Sequence, residues 1–297
     1  GYEPGNTGLS MQNNKTIGIV LPVSEDDTYE NAFFLETMRG ISLFCNQKQY
    51  FTTLITGSSN EELLSAIRSM VKENHLDGII LLYSNEQDPI IDYLYENGIL
   101  FVQIGKASQY PGETICIDND NILAAREAVN HLYKLGHRKI GYVGTDLKRI
   151  FSADRKAGYM LALAENNVPF QENYYLEMPQ VPKNKTDRLL RFLSREDRPT
   201  AVLVSDDILA MVLEKTAFEL HLQIPEDLSI ISFNNSLFSK LSSPQLTSID
   251  INSRQLGIEA ASQMINHIEN PGLLATKIIV PHFMIERQSC APPKAPR

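Results

Sequence analysis

Short apolar runs rich in β-branched residues alternate along this chain with longer amphipathic segments, and this alternation limits the folds open to it. Residues Thr16–Leu21 form the first such run, which has the composition of a buried strand. Residues Asn31–Gln47 then show helical spacing, because four apolar side chains recur on one face: Phe34, Met38, Ile41 and Cys45. Strands that alternate with helices predict parallel sheets covered by helices on both faces, so we predict an α/β fold.

The same rhythm starts again near the middle of the chain. A helical segment ends at Gly136, and a new β-branched strand begins at Lys139. The chain has 297 residues, a length that suggests about two domains. We therefore predict two similar lobes, each a parallel sheet flanked by helices.

Composition excludes several classes of function. No apolar run approaches the length of a membrane helix, so we expect no membrane partner. The formal net charge of -9 predicts a poor nucleic-acid binder, because phosphate contacts need a basic surface. The cysteines, Cys45, Cys116 and Cys290, are scattered and odd in number. Together with the absence of an apolar leader at Gly1–Asn6, they predict a cytoplasmic protein.

A series of short motifs from about Gly1 to Cys290 resembles a known family. The motifs include Thr16–Pro22, Asn31–Glu36, Asp77–Leu82, Leu135–Arg138, Asp154–Tyr159, Ser232–Asn235, Leu246–Ile249 and Ile285–Cys290. Each is weak alone, but their order and spacing resemble the LacI/GalR family of bacterial transcriptional regulators. Ala32 stands where the family has Pro, and Asn234 stands where many members have Asp. Three segments look most like maltose operon transcriptional repressors of Gram-positive bacteria: Phe233–Ser236, Asp250–Asn252 and Pro281–Arg287.

The resemblance implies a periplasmic-binding-protein-like pair of lobes joined by three crossings. Residues 16–136 and 238–269 are expected to form the N-terminal lobe, and residues 137–237 and 270–290 the C-terminal lobe. The first crossing is placed in the segment Leu135–Val143. A tail at residues 291–297 is expected to be disordered, because it is rich in Pro and has little to bury.

Family members begin with a helix-turn-helix head whose recognition helix enters the DNA major groove. We expect residues 1–15 to be the remnant of that head and of its hinge linker, the head being either trimmed or naturally absent. The resemblance then implies a ligand-sensing and dimerisation region. Its expected partners are a small-molecule sugar effector, a second copy of the chain, and operator DNA only through the missing head.

The expected ligand site lies between the lobes, at the carboxyl ends of the parallel strands. Sugar hydroxyls need side chains that donate or accept hydrogen bonds, and sugar C–H faces need flat apolar surfaces. By resemblance, Arg155 binds vicinal hydroxyls, Asp206 supplies a polar contact, and the Asn234 amide both donates and accepts. Asp207 is interpreted as the cap of the next helix, and an alternative makes both Asp206 and Asp207 cap or turn residues.

Four further candidates each have a structural alternative. Phe33 and Phe34 begin the first helix, and we expect at least one of them against the sugar while the other belongs to the core. Ser84 either donates a hydroxyl contact or lies in a simple turn. Asp120 either reaches the cleft or caps the helix that follows it.

Two other classes of function compete with a repressor. A periplasmic-type sugar-binding protein that feeds a transporter shares the two-lobed design, and a monomer in solution would favour it. An enzyme acting on a sugar needs an acid/base pair across the cleft, and Asp206 is the one good carboxylate candidate in the sequence. The sequence contains no phosphate-binding loop, dinucleotide fingerprint or metal-ligand cluster, so we expect neither enzyme activity nor a cofactor.

Overall fold

Two six-stranded sheets form the two lobes of this computed structural model, which describes residues 14–23, 31–73, 75–178 and 185–294. The first sheet is parallel throughout, with the strand order β11-β5-β4-β3-β1-β2. Its strands are β1 (Thr16–Val20), β2 (Phe51–Ile55), β3 (Gly78–Leu81), β4 (Phe101–Ile104), β5 (Ile115–Asp118) and β11 (Lys277–Ile279). Helices α1 (Ala32–Gln47) and α9 (Ser253–Glu269) cover one face, and α2 (Asn60–Lys72) and α3 (Pro89–Glu96) cover the other.

The second sheet repeats this plan with the order β12-β10-β9-β8-β6-β7. Its strands are β6 (Ile140–Gly144), β7 (Tyr175–Glu177), β8 (Ala201–Val204), β9 (Ser229–Phe233), β10 (Thr247–Asp250) and β12 (Phe283–Ile285). Helices α4 (Asn121–Lys134) and α5 (Ile150–Glu165) cover one face, and α6 (Lys185–Leu193) and α7 (Asp207–Glu219) cover the other. A short helix, α8 (Leu237–Leu241), follows β9. The predicted α/β fold of two similar lobes is confirmed, although β12 runs antiparallel to β10.

A helix pair in each lobe packs unusually closely because a glycine lies at the contact. A Cβ atom at Gly158 on α5 would lie 2.2 Å from the carbonyl oxygen of Ile122 on α4. A Cβ atom at Gly257 on α9 would lie 2.1 Å from the carbonyl oxygen of Thr37 on α1. Gly158 comes from the motif Asp154–Tyr159, so this motif carries a packing requirement of the fold.

The chain passes between the lobes three times, and one side chain connects the three crossings. The first crossing follows β5 at Asn119, the second precedes α9 at Ile251, and the third follows β11 at Val280. The Asn119 side-chain amide donates to the carbonyl oxygens of both Ile251 and Val280, each over 2.9 Å. Asn119 is buried, so these bonds satisfy an amide that water does not reach.

The sheet pairing corrects the predicted lobe boundaries in two segments. The predicted N-terminal segment 238–269 contains β10, which pairs with β9 in the second sheet. The predicted C-terminal segment 270–290 contains β11, which pairs with β5 in the first sheet. Pro281, which lacks an amide donor, separates β11 from β12, and the chain leaves the first sheet there and enters the second.

The first crossing also lies earlier than predicted. Helix α4 falls in the predicted N-terminal segment 16–136, but it packs against α5 in the core of the second lobe. The chain therefore crosses before α4, at Asn119, and the segment Leu135–Val143 lies wholly within the second lobe.

The predicted disordered tail begins too early. The carbonyl oxygen of Ala291 lies 2.8 Å from Nε2 of the buried His137, and the Lys294 ammonium pairs with Asp227 over 2.7 Å. Residues 291–294 thus pack on the second lobe. Residues 295–297, and residues 1–13 of the predicted remnant 1–15, lie outside the described residues. In the part of the chain that the structure describes, no helix combines the length and the apolar character needed to cross a membrane.

The substitution Gly158→Ala tests the close contact between α4 and α5. Alanine usually stabilises a helix relative to glycine, but here its methyl group would meet the Ile122 carbonyl oxygen. We expect the free energy of unfolding, measured in urea, to fall by about 1–3 kcal/mol. The control is Gly112→Ala, because a Cβ atom at Gly112 meets no atom within 4 Å. Equal stability of the two variants would contradict the close contact.

Candidate ligand-binding cleft

A cavity of about 90 Å³ lies between the lobes, where the carboxyl ends of the two sheets face each other. The first lobe contributes side chains from α1 and from the residues after β3, β4 and β5. The second lobe contributes side chains from α5 and from the residues after β8 and β9. The polar side chains that line the cavity include Asn31, Ser84, Asn85, Asp118, Asn121, Arg149, Arg155, Asp206 and Asn234.

The first lobe supplies much of the apolar wall. Phe33 and Phe34 both line the cavity, with their rings edge to face at a centroid distance of 5.3 Å. Phe34 is buried in the core of the first lobe, whereas Phe33 is half-buried. The Phe33 ring is thus partly exposed at the cavity, and the buried Phe34 ring packs against it, while the contact of either ring with a ligand stays a prediction.

Arg155 carries the main positive charge of the opposite wall. Its guanidinium donates to the Asn121 side-chain oxygen over 2.9 Å and to the Ser205 carbonyl oxygen over 2.7 Å. It also lies over the Phe233 ring, 3.9 Å from the ring centroid. Burial lowers the pKa of Arg155 to about 10, so the group stays protonated at neutral pH. The guanidinium is thus fixed in place, charged, and at the cavity surface.

Asp206 both lines the cavity and caps a helix. One of its carboxylate oxygens accepts from the backbone N–H of Leu209 over 2.8 Å, which caps α7. The predicted cap, Asp207, is instead buried behind the cavity. The sequence interpretation of Asp207 was wrong because α7 begins at Asp207 itself, so the preceding residue, Asp206, occupies the capping position.

Asn234 reaches across the cleft from the end of β9. Its side-chain nitrogen lies 3.4 Å from the side-chain oxygen of Asn31, which caps α1 in the other lobe. Its backbone has φ of 98°, a conformation that residues other than glycine rarely adopt. The amide therefore links the two walls of the cavity.

The remaining two candidates differ in their positions. Ser84 lines the cavity, but its hydroxyl donates to the carbonyl oxygen of Lys106. Asp120 lies outside the cavity, is exposed, and accepts from the backbone N–H of Leu123 over 2.8 Å as the cap of α4. The structure thus supports the capping alternative for Asp120.

Asp118, which sequence reasoning missed, lines the cavity at the end of β5. The pKa of Asp118 is raised to about 7, mainly by burial and in part by the nearby charge of Asp154, while the Asn119 backbone N–H, Arg155 and Lys106 oppose the shift. The signal that could have found Asp118 is its position as the last residue of a parallel strand, where ligand groups collect.

The lobes also touch at the mouth of the cleft. Asn85 forms an isolated antiparallel bridge with Arg149, a second cavity-lining guanidinium that sequence reasoning missed. The Ile150 backbone N–H donates to the Ser84 carbonyl oxygen over 3.1 Å. The Lys106 ammonium lies 3.3 Å from Asp154 of the other lobe. These contacts join the two lobes beside the cavity.

Comparison with known proteins identifies the family to which this architecture belongs. Residues 129–290 match the model of the periplasmic binding protein-like domain. The chain is 30% identical over 290 residues to the HTH-type transcriptional regulator MalR of Staphylococcus xylosus, covering 97% of this chain and 85% of that protein.

Solved structures agree with the sequence match. A putative transcriptional regulator LacI from Bacillus cereus subsp. cytotoxis is 36% identical with a TM-score of 0.88, covering 93% of this chain and 98% of the other. A probable maltose operon transcriptional repressor from Staphylococcus aureus is 28% identical with a TM-score of 0.85, covering 94% and 98%. Fold, motif order and these matches agree: the chain belongs to the LacI/GalR family of transcriptional regulators.

Proposed function

We propose that this chain is the ligand-sensing and dimerisation region of a sugar-responsive transcriptional repressor, with maltose or a maltodextrin bound in the cleft. The observation that carries the proposal is the cavity itself, in which the half-buried Phe33 ring and the fixed Arg155 guanidinium come from opposite lobes. An aromatic ring suits the C–H face of a sugar, and a guanidinium suits its paired hydroxyls.

The charges around the cavity favour a neutral ligand over an ionic one. Two guanidinium groups, Arg149 and Arg155, face two carboxyl groups, Asp206 and the partly ionised Asp118. Amide groups such as Asn234 add donors and acceptors without net charge. A neutral polyhydroxyl compound can pair with all of these groups, whereas an anion or a cation would leave one set unmatched.

The choice of maltose rests on the resemblance. The MalR relative and the maltose operon repressor structure cover nearly the whole of this chain. A sugar that contacts both lobes changes their relative arrangement only through its differential affinity for the two arrangements. In the intact repressor, that arrangement would set the spacing of two helix-turn-helix heads and hence operator affinity. A coupling of about 1–3 kcal/mol, the usual range, would change that affinity from several-fold to about a hundredfold.

A homodimer is the second part of the proposal, and exposed apolar residues support it. Helix α8 presents Leu237 and Leu241 four residues apart, with relative exposures of 63% and 70%. Edge strand β2 presents Phe51 and Leu54 to solvent in the other lobe. Large apolar side chains exposed in this way are typical of protein interfaces. Membership of the LacI/GalR family of transcriptional regulators disfavours the periplasmic-type sugar-binding protein.

A panel of sugars tests the effector assignment by thermal unfolding. A ligand that binds only the folded chain raises its melting temperature in a concentration-dependent way. We expect maltose or maltotriose to raise it, and glucose, sucrose and lactose to have little effect. A shift with another sugar alone would contradict the maltose assignment, and no shift with any sugar would contradict a sugar effector.

Arg155→Lys tests the role of the guanidinium while keeping the positive charge. Lysine lacks the planar pair of donors, so we expect calorimetry to show maltose affinity weakened by about tenfold to a hundredfold. Arg126→Lys is the matched control, because Arg126 is an exposed residue of the same lobe that pairs with Glu165. Equal affinities in the two variants would remove Arg155 from the site.

The pKa of Asp118 predicts a pH dependence of sugar binding. With the pKa near 7, the carboxyl is largely protonated at pH 6 and largely ionised at pH 8. The ionised form is the stronger acceptor for a sugar hydroxyl, so maltose affinity should increase as the pH rises through 7. Asp118→Asn should make the affinity insensitive to pH over this range. A native affinity that is flat or falls with pH would contradict a carboxylate contact.

Leu241→Glu tests the proposed dimer face. We expect the native chain to be a dimer in analytical ultracentrifugation and this variant to dissociate, because a buried carboxylate would oppose association. Leu274→Glu is the control, since Leu274 is 87% exposed in the other lobe. A native monomer would contradict the proposed homodimer, and a dimeric Leu241→Glu variant would place the interface elsewhere.

A further inference from the structure

A buried carboxylate lies directly behind the cleft and does not line it. Asp207 is 1% exposed and accepts hydrogen bonds from three serines. The Ser232 hydroxyl and the Ser248 hydroxyl, the latter over 2.8 Å, donate to one carboxylate oxygen. The backbone N–H of Ser236 donates to the other oxygen over 2.6 Å. Burial raises the pKa of Asp207, and these donors oppose that shift by stabilising the charged form.

The three serines surround the turn that carries Asn234. Ser232 precedes the turn on β9, Ser236 follows it as the cap of α8, and Ser248 lies beside it on β10. The Ser248 hydroxyl oxygen also accepts from the backbone N–H of Asn235 over 3.0 Å. Asp207 is therefore connected to both ends of the turn and, through Ser248, to its middle.

The turn needs this support because its backbone is unfavourable. Asn234 and Asn235 have φ angles of 98° and 47°, and neither is glycine. Conformations of this kind cost free energy and persist only where surrounding contacts enforce them. Asp207 supplies the contacts at the buried side of the turn, and Asn234 projects from the opposite side to line the cavity.

We propose that Asp207 is a positioning residue of the cleft, which holds the Asn234–Asn235 turn so that the Asn234 amide faces the sugar. This inference rests on the proposed sugar site. The two adjacent carboxylates then have different roles. Asp206 lines the cavity, and Asp207 fixes Asn234, a cavity-lining residue that follows β9.

The same network reaches the proposed dimer face. The Arg287 guanidinium donates to the Asn235 side-chain oxygen and, over 2.8 Å, to the Leu246 carbonyl oxygen. Ser236, which Asp207 binds, begins the helix that exposes Leu237. The turn that presents Asn234 to the sugar is thus also the start of α8.

Two variants weaken the network in different ways. In Asp207→Asn, the charge is lost, and the new amide nitrogen either faces the Ser236 backbone N–H, from which it cannot accept, or faces Ser232 and Ser248, whose hydroxyls must then accept instead of donate. In Ser248→Ala, the carboxylate remains but its connection to Asn235 is removed. The control is Asp88→Asn. Asp88 is also a buried carboxylate, but it caps α3 and does not line the cavity.

The test combines sugar affinity, melting temperature and backbone hydrogen exchange in the three variants and the native chain. The probe is maltose, or the panel sugar that the native chain binds. We expect Asp207→Asn and Ser248→Ala to weaken binding by about tenfold or more and to speed exchange at the Asn235 and Ser236 amides. Asp88→Asn should lower the melting temperature while leaving the affinity and exchange at the turn unchanged.

Two results would overturn the positioning role. One is native affinity in a folded Asp207→Asn or Ser248→Ala variant, and the other is native exchange at Asn235 and Ser236. An affinity loss in Asp88→Asn equal to that in Asp207→Asn would also overturn it, because general destabilisation would then explain both. If the native chain binds no sugar, the proposed function fails, and exchange at the turn alone decides whether Asp207 holds it.

Discussion

The Asn119 side chain binds the backbone of two other segments at the point where the chain passes between the lobes. Its amide donates to Ile251 and Val280, so all three crossings meet at one buried group. The lobes have separate cores, and their orientation depends on these short crossings and on the contacts at the mouth of the cleft. The cavity exists only because that orientation brings the carboxyl ends of two sheets together. Arg155 and Phe33, which lie in different lobes, form one site for the same reason.

The sequence was sufficient to predict the two-lobed α/β fold because strand and helix periods are local properties of the chain. It was insufficient to assign β10 and β11 to their sheets. Each is only three or four residues long, and pairing with β9 or β5 depends on contacts far along the chain. The predicted position of the first crossing was wrong for a related reason. Helix α4 has the same amphipathic pattern whichever core it joins, and only packing against α5 decides the lobe.

The candidate site shows the same division between local and tertiary information. Arg155, Asp206, Asn234, Ser84, Phe33 and Phe34 all line the cavity, because motifs at strand ends and helix starts fix their positions. All four residues of the segment Asp118-Asn119-Asp120-Asn121 are polar, so the sequence does not show which of them face the cleft. The backbone turns Asp120 onto α4 and leaves Asp118 at the cavity. The neighbouring pair Asp206 and Asp207 was ambiguous in the same way, and the serines that bind Asp207 come from β9, β10 and the start of α8.

The proposed function requires one sugar molecule to contact both lobes inside the cleft. A crystal structure of the chain grown with a saturating concentration of maltose tests it most directly. We expect electron density for the sugar between the lobes, with a C–H face against Phe33 and hydroxyls within hydrogen-bond distance of Arg155 and Asp206. A sugar bound elsewhere on the surface, or an empty cleft at saturation, would contradict it.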